Sequence, residues 1–280
     1  MNDFTLIPFH NIVKFGQTTM LEQPLFNVSW ILGRFCNYSC SYCWPYANSN
    51  VPDHQDFDVY TNAIDEIKRQ ARENGFTDFH FSFSGGEPTA YKKFGDLVED
   101  YANDNEAKYQ SIHLTTNLSP GEKWWARFIN NTSHLTRRSI TASYHAEFAN
   151  EKDFEDRCLQ LMEGGVFVTI NQVMVPEYFE EYYERCSRFA DKGINVTLKP
   201  QSDPTASRIV DGYTDEQIDK LQTGFPQNWN GEQIVQMYLE DAKGNDYGLD
   251  QAERMNAFNF NKFKDWHCNA GYQSCIIRGD

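Results

Sequence analysis

The chain has 280 residues, enough for one large α/β domain or for one domain with a small appendage. Hydrophobic residues make up 40% and aromatic ones 15%, which supplies a sizeable core, while the net charge of −15 argues against a polyanion-binding surface. Bulk DNA or RNA is therefore not an expected partner, and MNDFTLIPFHNIVKFGQ at the start lacks the cationic and long apolar runs of a secretory signal or membrane span.

Residues 1–24 read as an N-terminal segment without a strong pattern. The first strand is predicted at LFNVSWILGRF, residues 25–35. Helix-like stretches that end at a glycine and lead at once into β-rich runs then set a rhythm. NAIDEIKRQARENG, ending at Gly75, precedes FTDFHFSF; DFEDRCLQLMEGG, ending at Gly165, precedes VFVTINQVMV; EEYYERCSRFADKG, ending at Gly193, precedes INVTLKP. A glycine just past a helix accepts the left-handed conformation that closes the last turn. YQSIHLTTN and RRSITASYH read as further strands, with GEKWWARFINN as a helix between them.

The predicted order is strand, helix, repeated about six times from residue 25 to 200, which implies parallel pairing in a wound sheet or barrel. Six units are too few for a closed eight-stranded barrel. Near residue 200 the texture changes: QSDPTASRIVDGYTDEQ is rich in turn formers, and helix-like DEQIDKLQ, GEQIVQMYL and DQAERMNAFN follow. Residues 201–280 are expected to form a small C-terminal extension, packed against the core.

Of the seven cysteines, Cys36, Cys40 and Cys43 lie together in CNYSCSYCW, while Cys158, Cys186, Cys268 and Cys275 are scattered. An odd count with one tight cluster, in a chain without an export signal, points to metal ligation rather than disulfides and to the cytoplasm. A C-x3-C-x2-C loop after a strand can hold three irons of a cube, one thiolate each, and leave the fourth iron open. A structural zinc site wants four ligands, with His54 the nearest histidine to serve as the fourth. A second signal is FSFSGGEPTAY: Phe79, Phe81 and Phe83 alternate as on a half-buried strand that runs into Gly85-Gly86-Glu87-Pro88. Paired glycines at a strand's carboxyl end let a backbone approach a ligand closely, the alternative being a tight turn with a solvated glutamate.

Together, C-x3-C-x2-C after the first strand and GGEP after the second resemble the radical S-adenosylmethionine (SAM) superfamily, over roughly residues 25–200. The resemblance implies an α/β fold, a partial (β/α)6 TIM-like barrel with a [4Fe–4S] cluster and SAM at its carboxyl-terminal mouth. It implies Cys36, Cys40 and Cys43 as the cluster ligands and the Gly85–Pro88 stretch against the methionine end of SAM. By position it also implies SAM contacts from Trp44, Thr116, Asn117, Ser143 and Asn171, although Thr, Asn and Ser at strand ends also serve as caps and turn residues. His145 and Lys199, at later strand ends, face the same mouth in this reading but are assigned no role. The implied chemistry is reductive cleavage of SAM to a 5′-deoxyadenosyl radical that abstracts a substrate hydrogen, with electrons from a donor such as flavodoxin or ferredoxin. No proton-transfer residue is required for the initiating step.

The tail, WHCNAGYQSCIIRGD, resembles the opening of the SPASM and twitch extensions of that superfamily, which hold auxiliary clusters and occur in many peptide-modifying members. The cysteine expected after Gly279 is missing, so the extension is either truncated or vestigial, and a second iron–sulfur cluster is not expected. Cys158 and Cys186, within amphipathic helices, read as buried and inert. The expected substrate is a peptide or protein side chain. A small molecule or nucleotide is the alternative, and a non-enzymatic iron–sulfur protein is disfavoured by the GGEP motif.

Overall fold

The computed structural model describes residues 12–17, 25–44, 48–104, 106–107, 109–227, 237–244, 246–249 and 274–278. In chain order the first elements are β1 (Ile12–Gln17), β2 (Phe26–Ile31), α1 (Phe57–Glu73), β3 (Phe79–Ser84), α2 (Phe94–Ala102), β4 (Gln110–Thr116), α3 (Glu122–Asn131) and β5 (Arg137–Tyr144). There follow α4 (Glu151–Glu163), β6 (Phe167–Met174), α5 (Phe179–Asp191), β7 (Asn195–Pro200), α6 (Asp215–Thr223), β8 (Met237–Asp241), β9 (Asp246–Leu249) and β10 (Ser274–Arg278).

Period-two alternation builds the strands. On β3 the rings of Phe79, Phe81 and Phe83 are fully buried, whereas His80, Ser82 and Ser84 point to the other face and stay partly exposed. The phenylalanine face meets helix α2: Phe81 lies 4.7 Å from Tyr101 and Phe83 5.7 Å edge-on to Phe94. Each such ring contributes about 1.5–3 kcal/mol by burial. The high aromatic share is thus largely packing material. The helices supply the complementary stripes: Tyr60, Ile64, Lys68 and Ala71 form the buried face of α1. Lys68 is tolerated there because its ammonium meets Asp104 at 2.9 Å. Gly75, Gly165 and Gly193 all have positive φ, as their predicted role of ending α1, α4 and α5 requires.

Strands β2 to β7 pair side by side in sequence order, all parallel, with α1 to α5 as the crossovers. With α6 after β7, this is the expected α/β partial (β/α)6 barrel of TIM-like type. The inner face is polar rather than filled with branched aliphatics. On it the ring of His80 meets Ser111 Oγ at 2.8 Å and that of His113 meets Ser139 Oγ at 2.8 Å, with burial holding both imidazoles neutral, down to about 4.

The tail departs from its predicted texture in two places. Strand β10 joins the parallel sheet as a seventh strand, pairing Cys275 with Val28 beside β2. GEQIVQMYL was expected to be helix-like, yet its end lies in strand β8, which pairs antiparallel with both β1 and β9. Two ladders of backbone hydrogen bonds outweigh the local helical preference, and the connecting turn places Gly244 at φ 81°. DEQIDKLQ does form a helix, α6, opened by a reciprocal Thr214–Gln217 capping box. DQAERMNAFN and Cys268 lie outside the described residues. Residues 23–228 with 270–280 make one compact unit, and residues 1–22 with 229–269 make the other. Among the described residues no helix is long and apolar enough to cross a membrane.

Candidate functional site

The carboxyl ends of β2 and β3 come together through backbone contacts that only glycine permits. The β2–β3 pairing continues past Ser84: Leu32 N donates to Ser84 O, Gly86 N to Gly33 O at 2.9 Å and Glu87 N to Phe35 O at 2.8 Å. A Cβ on Gly86 would stand 2.2 Å from Phe35 O and 2.3 Å from Arg34 O; one on Gly85, at φ 139°, would stand 2.5 Å from Gly33 O. The glycine pair therefore serves a close approach to the segment that leads into Cys36. That is a different reason for glycine from approach to a ligand.

Glu87 then lands inside the protein, only 2% exposed, which removes the alternative of a solvated turn glutamate. Its Oε1 accepts from Thr89 N at 2.9 Å, Thr89 Oγ1 at 2.6 Å and Thr116 Oγ1 at 2.8 Å, and its Oε2 accepts from Asn117 N at 2.6 Å. Burial pushes this carboxyl up, and the donors from Thr89, Asn117 and Thr116 oppose it. The carboxylate thus ties the end of β3 to the end of β4. All partners are donors, so an amide cannot replace both oxygens. Glu87→Gln is expected to lower stability by about 1–3 kcal/mol, read by urea unfolding of the metal-free protein. A variant as stable as the parent would contradict this four-donor account.

The cysteine loop is fixed at both ends. Asp53 accepts from Arg34 N at 2.7 Å and Phe35 N at 3.0 Å, and Cys36 N donates to Ser49 O at 3.1 Å. Asn117 Nδ2 donates to Asn37 Oδ1 at 2.9 Å, which joins the β4 end to the first spacer of the motif. Cys36, Cys40 and Cys43 are free thiols, Cys40 buried, Cys36 partly buried and Cys43 exposed. Burial pushes all three thiols up, Cys40 to about 12, and Glu147 adds to the effect at Cys40 and Glu87 at Cys36. The charged groups that act on these thiols are carboxylates and one another. Three soft donors in an electronegative pocket suit a cationic iron–sulfur guest, which would hold them as thiolates.

Among the described residues no three His, Cys, Asp or Glu side chains converge on a single-ion site. A cube corner does not need such convergence, because each thiolate meets its own iron. His54, the alternative zinc ligand, instead packs its ring on Phe35 at 5.9 Å and on Tyr91 at 5.1 Å.

The remaining site residues divide. Thr116 is buried, and its hydroxyl both donates to Glu87 and accepts from Leu118 N, so its polar group is used within the protein. Asn117 is committed likewise, its Oδ1 accepting from Ser119 N. Ser143 and Asn171 sit opposite each other on β5 and β6, partly exposed on the polar inner face. Trp44 is 40% exposed beside Cys43. Lys199 is exposed near the end of β7, and His145 is partly buried against the cysteine loop, its ring nitrogen 2.9 Å from Tyr42 Oη. Sequence reasoning missed Asp53 and Glu147; their only local signal is an acidic residue in a loop, just before α1 for Asp53 and just after β5 for Glu147. Cys158 and Cys186 are fully buried in α4 and α5, as expected of packing residues.

The family model of the Radical SAM superfamily matches residues 30–221. No curated protein matches the chain in sequence. Among solved structures, native anSMEcpe with bound AdoMet superposes with a TM-score of 0.52 at 17% identity, covering 71% of this chain and 58% of that one. The same protein with bound AdoMet and the Kp18Cys peptide gives 0.52 at 16% identity, with the same 71% and 58% coverage. BtrN in complex with AdoMet and 2-DOIA is more distant, with a TM-score of 0.38 at 13% identity, covering 72% of this chain and 83% of that one. The chain spans 58% of the length of the anSMEcpe chain it matches.

Proposed function

Because the chain belongs to the radical SAM superfamily, we propose that it is an enzyme whose Cys36, Cys40 and Cys43 hold a [4Fe–4S] cluster with SAM at the open iron. The observation that carries this reading is the three-thiol loop at the carboxyl end of β2, backed by the Gly86 and Glu87 backbone hydrogen bonds from the neighbouring strand to Gly33 and Phe35. When bound, cluster and SAM together supply a 5′-deoxyadenosyl radical that abstracts hydrogen from an unactivated substrate carbon.

The protein's own part is placement. Asp53 and Asn117 hold the two flanks of Cys36, and the Gly86 approach sets the height of Phe35 beneath it. Ser143 and Asn171, partly exposed on the inner face, are the polar groups left to orient the SAM ribose or carboxylate. In this reading the exposed ring of Trp44, beside Cys43, covers the adenine. Thr116 and Asn117 act on SAM through Glu87, whose carboxylate fixes the backbone carbonyls of the Gly85–Pro88 stretch toward the amino group. The reductant is a flavodoxin- or ferredoxin-type donor, and the setting is the cytoplasm, where thiols stay reduced.

For the substrate we favour a peptide or protein side chain. The acidic surface, the SPASM-like tail and the peptide-bound form of anSMEcpe support that class. Formation of 5′-deoxyadenosine should rise when candidate peptides are added to reduced, reconstituted protein with SAM. Stimulation by nucleosides or other small molecules, with none by any peptide, would replace this substrate class with the small-molecule one.

A further inference from the structure

One short segment just past β5, His145 to Phe148, holds the spacer residues of the cysteine motif. Tyr38 stacks on Phe148 at 5.0 Å and meets His145 edge-on at 6.0 Å. Tyr42 Oη lies 2.9 Å from His145 Nδ1, with the two rings stacked at 5.9 Å. Ser41, the residue after Cys40, gives both of its donors to Glu147: its N–H at 3.2 and 3.0 Å to the two carboxylate oxygens, its hydroxyl at 2.6 Å.

We propose that Glu147 is a positioning residue that sets the reduction potential of the cluster, holding Ser41 in place and making the cluster harder to reduce. The inference rests on the reading that this loop carries a [4Fe–4S] cluster. Two effects act in the same direction. Reduction adds a negative charge, which a fixed carboxylate beside Cys40 opposes, all the more where solvent is partly excluded. Hydrogen bonds to cluster sulfurs tune the potential as well. Glu147 takes the Ser41 N–H and O–H that would otherwise be free to reach the Cys40 sulfur and stabilise the reduced state. The other nearby carboxylates are already bound by donors, Glu87 by those from Thr89, Thr116 and Asn117 and Asp53 by the N–H groups of Arg34 and Phe35, which spread their charge. A lower potential raises the driving force for electron transfer to a bound sulfonium.

Glu147 is exposed, so its substitution leaves the core intact. The test is a redox titration of the anaerobically reconstituted protein, followed by electron paramagnetic resonance at low ionic strength, where surface charges are least screened. Glu147→Gln removes the charge but keeps an acceptor for Ser41; Glu147→Ala removes both. Both are expected to shift the potential to more positive values at unchanged iron content, Glu147→Ala at least as far as Glu147→Gln. Glu163→Gln, which changes the same net charge at the far end of α4, should leave it in place. Potentials of both Glu147 variants equal to the parent's, or shifted negative, overturn the proposal while the cluster assignment stands. A parent protein that takes up no cluster overturns both.

Discussion

Single replacement of Cys36, Cys40 or Cys43 by alanine is expected to abolish the iron–sulfur absorbance and the iron retained after reconstitution and desalting. Each thiolate would bind a separate iron, and no other cysteine among the described residues is placed to substitute. Cys158 and Cys186 are fully buried in helices, and Cys275 sits within β10. The loss should exceed the ~10–100-fold that follows removal of an outer partner of a metal ligand. Cys43→Ala is the most telling of the three, because Cys43 is exposed and its removal costs the fold least. Cys158→Ala and Cys186→Ala serve as controls: they should keep their iron while losing about 1–2 kcal/mol of stability, as is common for truncation of a packed side chain. Iron content that survives Cys43→Ala would remove the loop from the ligand set.

The second large effect is expected at Gly86. A methyl group there would meet the carbonyl oxygens of Phe35 and Arg34 at 2.2 and 2.3 Å, and these are backbone atoms, which cannot rotate aside as a side chain can. The clash can be relieved only by parting the β2–β3 extension, which breaks the Gly86–Gly33 and Glu87–Phe35 hydrogen bonds and lifts the residue before Cys36. Gly86→Ala should therefore destabilise the protein by about 1–3 kcal/mol or more and impair cluster retention as well. Gly121→Ala is the matched control, since a Cβ there meets nothing within 4 Å. Its cost should stay below about 1 kcal/mol, with iron content unchanged. Equal behaviour of the two variants, read by urea unfolding and iron analysis, would show that the close approach is not what Gly86 provides.

These two sites differ in how far the sequence disclosed them. The cysteines announce themselves by spacing alone. The glycines at 85 and 86 stand out too, but the sequence suggests approach to a ligand, whereas the nearest atoms are the chain's own carbonyls. Periodicity carried the barrel: the phenylalanine alternation of β3 and the helix–glycine–strand rhythm follow from local rules, and the structure obeys them. What stayed hidden is long-range. β10 pairs with β2 from the other end of the chain, and nothing in SCIIR states which strand it will join. The Ser41–Glu147 contact spans 106 residues, so neither residue carries a sign of the other. Residues 237–239 read as helix because their local composition permits it, until partners on both sides make them strand. Thr116 and Asn117 were legible as polar strand-end groups, yet their commitment to Glu87 depends on the neighbouring strand's geometry.

Cys36, Cys40 and Cys43 are proposed to support reductive cleavage of SAM. The most direct measurement is chromatographic detection of 5′-deoxyadenosine after the anaerobically reconstituted protein is reduced with dithionite in the presence of SAM. The parent is expected to form it, and the Cys36→Ala/Cys40→Ala/Cys43→Ala variant to form none. A parent with a full [4Fe–4S] cluster that neither binds SAM nor yields 5′-deoxyadenosine with any substrate class would contradict the account and leave an iron–sulfur protein of another kind.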